Sequence, residues 1–151
     1  MRRLLSYLLA AFMLFLLTSC GGNTQPAAGE TKNSETKLKI TIGDIVLNAT
    51  MENNSSAKAL LELLADKPLT INMRDYGNME KVGGLGTSLP RNDKQISAEP
   101  GDLILFQGNA FVIYYAPNSW NFTRLGRIDG VTKDELMDVL GSNNVTVTLS
   151  I

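Results

Sequence analysis

Histidine is absent from the 151-residue sequence, and cysteine occurs once, at Cys20. Without histidine, the chain cannot form a Ser-His-Asp or Cys-His catalytic set or a histidine-ligated metal site. A single cysteine excludes an internal disulfide and a multi-cysteine zinc site. The 14 basic and 15 acidic residues nearly cancel, so the chain lacks the basic excess of a general nucleic-acid binder. These absences leave binding, structural roles and histidine-free catalysis.

No motif for nucleotide or metal binding stands out in the sequence. The glycines between Gly77 and Gly86 follow neither the dinucleotide-binding nor the phosphate-loop pattern, and they suit a turning loop with positive φ angles. Carboxylates are scattered without calcium-loop spacing. Asp134 and Asp138, one helical turn apart, are typical of a solvated helix face. The sequence therefore predicts no cofactor and no metal.

The N-terminus combines basic and apolar residues. Arg2 and Arg3 precede an uncharged run, residues 4–17, that is rich in Leu, Phe, Met and Ala. This run is short for a permanent membrane span, which needs about 20 apolar residues, and it is typical of a signal peptide. It ends in Leu-Thr-Ser-Cys at residues 17–20, which resembles a bacterial lipobox. The resemblance implies cleavage before Cys20 and acylation of its thiol.

The lipobox resemblance predicts a location in the cell envelope, on the extracytoplasmic side. We expect residues 1–19 to be a lipoprotein signal peptide, and residues 20–36 to be an acylated Cys and flexible tether without large apolar side chains. Cys20 would bind membrane lipid, because each buried CH₂ contributes about 0.8 kcal/mol and two or more acyl chains anchor stably. The alternatives are an ordinary signal segment ending in cysteine and an ordered extension. Inner or outer membrane stays open.

Residues 37–151 carry the patterns of one folded domain. Alternating or continuous apolar residues predict short strands at residues 37–42, 45–50, 69–74, 102–106, 110–115, 122–128 and 145–151. A tight turn at residues 107–109 would join two of these strands into a hairpin. Residues 77–99 and 117–121 are predicted to be loops.

Two short helices are predicted between the strands. The first covers residues 57–65 and ends before Pro68, and the second covers residues 132–140. Thr132 and Glu135 have the spacing of a capping box at the start of the second helix. Six to eight short strands need a β-sandwich or a closed barrel, because two-stranded ribbons are not stable alone. A closed barrel removes exposed strand edges, and the helices can cover its ends.

Several short segments occur in a fixed order: residues 76–83 (YGNMEKVG), 89–90 (LP), 100–102 (PGD), 108–109 (GN), 118–120 (NSW) and 123–128 (TRLGRI). Together they resemble the bacterial cyclophilin-like domain family. The resemblance covers nearly all of residues 37–151. It implies a mainly β fold, a closed cyclophilin-like β-barrel capped by two short helices. Few members of this group have a settled activity, so the resemblance says more about fold than about function.

Candidate ligand-binding residues combine flat apolar surface with charge: Arg74, Tyr76, Met79, Glu80, Trp120 and Arg124. Tyr76 and Trp120 can stack on a ring or a proline, and an arginine can hold a carboxylate. The competing interpretation is structural. In it, Trp120 plugs or caps the barrel, and the two arginines form ion pairs with Asp75, Glu80 or Asp102.

We predict a membrane-anchored, extracytoplasmic binding module for a small molecule or a peptide segment, without catalysis. The alternative is a weak peptidyl-prolyl isomerase, with Arg74 as its catalytic residue. Cyclophilins that catalyse this reaction use an Arg beside Phe, Met and Gln, with Trp and His nearby. This sequence has no His and lacks the Phe-Met-x-Gln-Gly-Gly run. A structural envelope module without a ligand is the third possibility.

Overall fold

The computed structural model describes residues 37–151. The predicted signal peptide, Cys20 and the tether lie outside the described residues. Strands and helices follow in the order β1 (Lys37–Ile42), β2 (Ile45–Met51), α1 (Ser55–Asp66), β3 (Leu69–Tyr76), β4 (Glu80–Gly84), β5 (Lys94–Ala98), β6 (Asp102–Phe106), β7 (Ala110–Tyr114), β8 (Asn118–Ile128), α2 (Lys133–Leu140) and β9 (Val145–Ser150). The prediction of a mainly β domain with two short helices is confirmed.

Eight of the described strands form a closed antiparallel barrel. Their order around it is β2-β1-β9-β3-β4-β7-β6-β8, and β8 also pairs with β2. This last pairing joins Ala49 to Ile128 and Met51 to Gly126, and it closes the cylinder. A closed wall leaves no exposed edge among these eight strands. The predicted β-barrel is therefore confirmed.

The barrel interior is apolar because successive side chains of a strand point to opposite faces. Leu103 and Leu105 of β6 and Phe111 and Ile113 of β7 point inward and belong to the main core. Both helices add to the same core, through the buried side chains Leu60, Leu64, Leu136 and Leu140. Full burial of one such side chain contributes about 1.5–3 kcal/mol. The core therefore joins the helices to the barrel.

Side chains cap both helices at their first turns. Asn54 accepts a hydrogen bond from the Ala57 amide at 2.9 Å, so α1 begins two residues earlier than predicted. At α2, the Thr132 side chain accepts from the Glu135 amide, and Glu135 accepts from the Thr132 amide. This capping box confirms the prediction from the spacing of the two residues.

Two segments predicted to be loops contain strands. Residues 77–99 include β4 and β5, and β8 begins at Asn118 inside the predicted loop 117–121. Gly83 of β4 packs tightly against β3, since a Cβ atom there would lie 2.4 Å from Cγ2 of Ile71. This glycine therefore marks close strand contact, whereas we had assigned the glycines of this region to a turning loop.

Outside the barrel, β5 and the first half of β8 form a two-stranded ribbon. β5 pairs with residues 118–122 of β8, whereas residues 123–128 of β8 pair with β6 and β2. The ribbon packs on the outward-facing side chains of β6 and β7. It forms a second apolar cluster of Ala98, Ile104, Val112, Tyr114 and Phe122, against which Met79, Val82 and Ile96 pack. The ribbon therefore projects from the outer surface of the barrel.

Candidate binding groove

A groove with a volume of about 930 Å³ lies between the ribbon and the outer surface of the barrel. Strands β3, β4 and β7 contribute one side and the floor, and β5 and β8 contribute the opposite wall. Five of the six candidate residues line it: Arg74, Tyr76, Met79, Glu80 and Trp120. The fold therefore brings together residues up to 46 positions apart in the sequence.

Strand register orders the side chains along the groove floor. Arg74 of β3 lies opposite Val82 of β4, which lies opposite Val112 of β7. A parallel row consists of Tyr76, Glu80 and Tyr114. Because directly opposite residues share one face of the sheet, the floor has an apolar centre and a polar end.

Aromatic side chains form the rim of the groove. Trp120 is 63% exposed and Tyr76 is 58% exposed, although both are large and apolar. Deeper in the groove, the rings of Tyr114 and Phe122 lie 5.5 Å apart between centroids. The exposure of Trp120 shows that it does not plug the barrel. Exposed aromatic rings beside an apolar floor are typical of a surface that binds another molecule.

Met79 reaches the groove because a tight turn reverses the chain between β3 and β4. Gly77 and Asn78 have φ angles of 61° and 53°, and the Met79 amide donates to the Tyr76 carbonyl at 3.2 Å. The left-handed conformation suits Gly, and Asn tolerates it better than most residues. The Met79 carbonyl accepts from the amides of Tyr115 and Ala116 at 2.9 and 3.1 Å. The turn is therefore tied to the end of β7.

Arg74 presents its charge at the groove. Its guanidinium carbon lies 5.9 Å from the centroid of the Tyr76 ring, within the range of a cation–π contact. Within residues 37–151, no carboxylate forms an ion pair with Arg74. The structural alternative, in which Arg74 pairs with Asp75 or Glu80, is therefore wrong for these residues.

Glu80 is half-buried at the polar end of the floor. Burial raises the pKa of the Glu80 carboxyl, and a hydrogen bond from the Tyr114 hydroxyl partly opposes this shift. Burial and the neighbouring Glu80 also raise the pKa of Tyr114. Asn118 donates to the Tyr114 hydroxyl at 3.1 Å. These three side chains provide hydrogen-bonding groups beside the apolar centre.

Residues before β5 add charge at another part of the groove. Arg91 forms an ion pair with Asp93, and the Thr123 hydroxyl donates to Asp93 at 2.5 Å. The bond from Thr123 and, less strongly, Arg91 lower the pKa of Asp93 against the effect of burial. We did not predict this part of the site, because residues 91–94 fell in a segment assigned to a loop. The adjacent charges Arg91, Asp93 and Lys94 were the only signal in the sequence.

Arg124 does not line the groove. Its Nη2 atom donates to Asp102 at 2.8 Å and to the Ser97 carbonyl at 3.0 Å. Arg127 donates to the other carboxylate oxygen of Asp102 at 3.0 Å. Asp102 is almost fully buried, so the two arginines pair a carboxylate that has left water. The structural ion pair that we had considered for Arg124 is therefore present.

Within residues 37–151, no group of three His, Cys, Asp or Glu side chains is arranged to hold a metal ion. In the same region, no helix has both the length and the apolar character needed to cross a membrane.

An eight-stranded antiparallel barrel with two helices and a groove on its outer surface defines a cyclophilin-like barrel protein. A sequence profile described as the cyclophilin-like family matches residues 40–150. The chain therefore belongs to the cyclophilin-like family.

A solved structure has the same fold. The solution structure of a hypothetical protein from Archaeoglobus fulgidus is 15% identical and has a TM-score of 0.57. The similarity covers 77% of this chain and 94% of the archaeal one. At this identity, the similarity concerns the fold alone. No match was found among curated proteins.

Proposed function

We propose that this protein is a membrane-anchored, extracytoplasmic module that binds a small molecule or a peptide segment without catalysing a reaction. One observation carries the binding part of this proposal. Side chains from β3, the β3–β4 turn, β4 and β8 converge on one groove that is open to solvent. A purely structural module has no need for exposed aromatic rings around such a groove.

The chemistry of the groove fits an amphipathic ligand. Val82 offers a partly exposed apolar surface, and Trp120 can stack on a ring or a proline. Arg74 has no carboxylate partner among the described residues, so it can pair with an acidic group of the ligand. An apolar pocket with a few placed polar groups is the usual form of a small-molecule or peptide site.

The surroundings of Arg74 support binding over isomerisation. An isomerase needs the arginine to donate to the prolyl nitrogen of the substrate. Here the residue opposite Arg74 on β4 is Val82, which offers no hydrogen bond to orient the guanidinium. Arg74 instead contacts the Tyr76 ring at the rim. Weak isomerase activity is the second candidate, and the groove position of Arg74 keeps it testable.

The lipobox supports the anchoring part of the proposal. Sixteen residues, Gly21–Thr36, separate Cys20 from the first described strand, and they contain no large apolar side chain. A flexible chain of this length spans about 20 Å on average. Such a tether would leave the groove accessible to a ligand beside the membrane.

A prolyl peptide tests binding and isomerisation together. We choose succinyl-Ala-Ala-Pro-Phe-p-nitroanilide, which combines a carboxylate, a proline and aromatic rings. Trp120 is the only tryptophan of the chain, so its fluorescence reports directly on the groove. We expect a saturable change in this fluorescence, and shifts of backbone NMR signals around the groove. Binding without faster isomerisation supports the proposal, whereas isomerisation that requires Arg74 favours the enzyme.

Trp120→Ala tests the site against a purely structural role. We expect NMR titration to show at least tenfold weaker peptide binding, because the stacking surface is lost. The melting temperature should change by less than about 2 °C, because Trp120 is mostly exposed. Val46→Ala is the matched control, since Val46 is a large exposed apolar residue that does not line the groove. Unaltered binding in Trp120→Ala, or no NMR shifts in the groove, would contradict the proposed site.

A further inference from the structure

A lysine lies fully buried inside the barrel. Lys81 of β4 has no exposed side-chain surface, and its ammonium donates to Asp75 of β3 and to the Asn143 carbonyl, each at 2.7 Å. The hydroxyl of Tyr115, which follows β7, donates to the same oxygen of Asp75 at 2.7 Å. The ammonium also lies 5.7 Å from the Tyr115 ring centroid. We call Asp75, Lys81 and Tyr115 the buried cluster.

The hydrogen bonds of the cluster are satisfied, but the ammonium of Lys81 is costly to place in an apolar interior, whereas 21% of the Asp75 side chain stays exposed. Removal of charges from water is unfavourable, and well-packed apolar residues often replace a buried ion pair without loss of stability. Burial acts to raise the pKa of Asp75, but the bonds from Lys81 and Tyr115 bring it below its ordinary value of 3.8. Asp75 is therefore held as a carboxylate. The stability of the folded protein alone therefore does not explain why the positions of Asp75 and Lys81 hold charged side chains.

Each member of the buried cluster is the sequence neighbour of a groove residue. Asp75 lies between Arg74 and Tyr76, Lys81 follows Glu80, and Tyr115 follows Tyr114. Because side chains alternate across a strand, the cluster faces inward and these neighbours face the groove. A slip of one residue between strands would exchange the two sets. Such a slip would bury Glu80 and bring Lys81 to the surface, which separates Lys81 from Asp75.

We infer that the buried cluster is a positioning device for the groove. It sets the register of β3, β4 and the end of β7, and so holds Arg74, Tyr76 and Glu80 on one face. The inference rests on the proposed function in one respect, namely that the positioned side chains bind a ligand. The effect of the buried cluster on the β3–β4 hairpin is a property of the free protein, so it can be measured without a ligand.

The test replaces both charges by apolar residues in the full chain, as D75L/K81M. We expect the fold to persist but the β3–β4 turn to loosen. The amides of Tyr115 and Ala116 donate to the Met79 carbonyl, and their hydrogen exchange should become at least tenfold faster. The Leu136 amide in α2, which donates to the Thr132 carbonyl, should keep its rate. A general loss of stability would instead speed exchange at all three amides.

The matched control is K37M/D129L. It removes an exposed ion pair, in which Nζ of Lys37 lies 3.0 Å from Oδ2 of Asp129, and neither residue lines the groove. It should leave the exchange at Tyr115 and Ala116 unchanged. Unchanged exchange in D75L/K81M, or equal acceleration at Leu136, would overturn the inference. If D75L/K81M does not fold, Tyr115→Phe decides the matter. This variant removes only the hydroxyl, and exchange at Ala116 should still accelerate at least threefold; no acceleration overturns the inference.

Affinity for the prolyl peptide connects this result to the groove. Where the native protein binds the peptide, D75L/K81M should bind at least tenfold more weakly, and native affinity in D75L/K81M would overturn the positioning role. Where the native protein does not bind this peptide, the proposed peptide binding fails, and the exchange rates still decide whether the cluster holds the hairpin. The two failures are therefore distinguishable.

Discussion

Glu80 and Lys81 are neighbours in sequence but lie in different environments. Lys81 is inside the barrel and has two oxygen partners at 2.7 Å. Glu80 faces the groove, where burial raises the pKa of its carboxyl and the Tyr114 hydroxyl donates to it. An ionised carboxylate that is partly removed from water lowers the stability of the folded state. The negative charge of Glu80 in the groove therefore lowers the stability of the folded protein.

The substitution Glu80→Gln should stabilise the protein in a pH-dependent way. The folded-state pKa of Glu80 is raised, so ionisation favours the unfolded state once the pH exceeds the ordinary value of 4.5. At pH 7, Glu80→Gln should raise the free energy of unfolding, because it removes a charge that burial in the groove disfavours. Below pH 4.5, the gain should vanish. Urea titrations at pH 7 and pH 4 measure both values, and a gain that is larger at pH 4 contradicts the assignment.

At the scale of strands, sequence patterns predict the elements whose two faces differ. β1, β3 and β9 alternate apolar and polar residues, and all three were predicted. β4 escaped prediction because its inward positions hold Lys81 and Gly83 instead of apolar residues. β5 contains one large apolar residue, Ile96, and pairs on one side only. Pattern reasoning therefore fails where a strand buries charge, touches another backbone or lies in the outer ribbon.

The candidate site likewise contains residues that the sequence could group and residues that only the fold could place. Arg74, Tyr76, Met79 and Glu80 could be grouped from the sequence, because they lie within one short segment, residues 74–80. Trp120 was included on chemistry alone, and the ribbon places it on the opposite wall. Arg124 was included for the same reason, but Asp102 pairs with it away from the groove. Partners distant in sequence decide which arginine is available, and no local pattern shows them.

Barrel closure depends on close contact between β2 and β8. Gly126 of β8 lies opposite Met51, and a Cβ atom there would be 2.4 Å from the Thr50 carbonyl oxygen. Gly126→Ala should therefore destabilise the protein by about 1–3 kcal/mol, since backbone must move to admit the methyl group. Gly84→Ala is the control, because no atom lies within 4 Å of its added Cβ and its φ angle is not in the left-handed region. Chemical denaturation measures both, and equal stabilities would contradict the close contact.

At the scale of the whole molecule, the described domain and the N-terminal segment have separate tasks in the proposal. The barrel carries the groove, and its fold is complete within residues 37–151. In the proposal, membrane attachment resides in Cys20, and acyl chains there would act independently of the barrel. A change at Cys20 should therefore alter location without altering stability or ligand affinity.

Cys20→Ala tests this separation in a bacterial host. The native chain should incorporate radiolabelled palmitate and sediment with membranes, because acyl chains on Cys20 partition into lipid. The variant should take up no label. Ser34→Ala, in the tether, is the control and should behave as the native chain. Absence of label from the native protein, or equal label on Cys20→Ala, would contradict lipid anchoring through this cysteine while leaving the groove proposal intact.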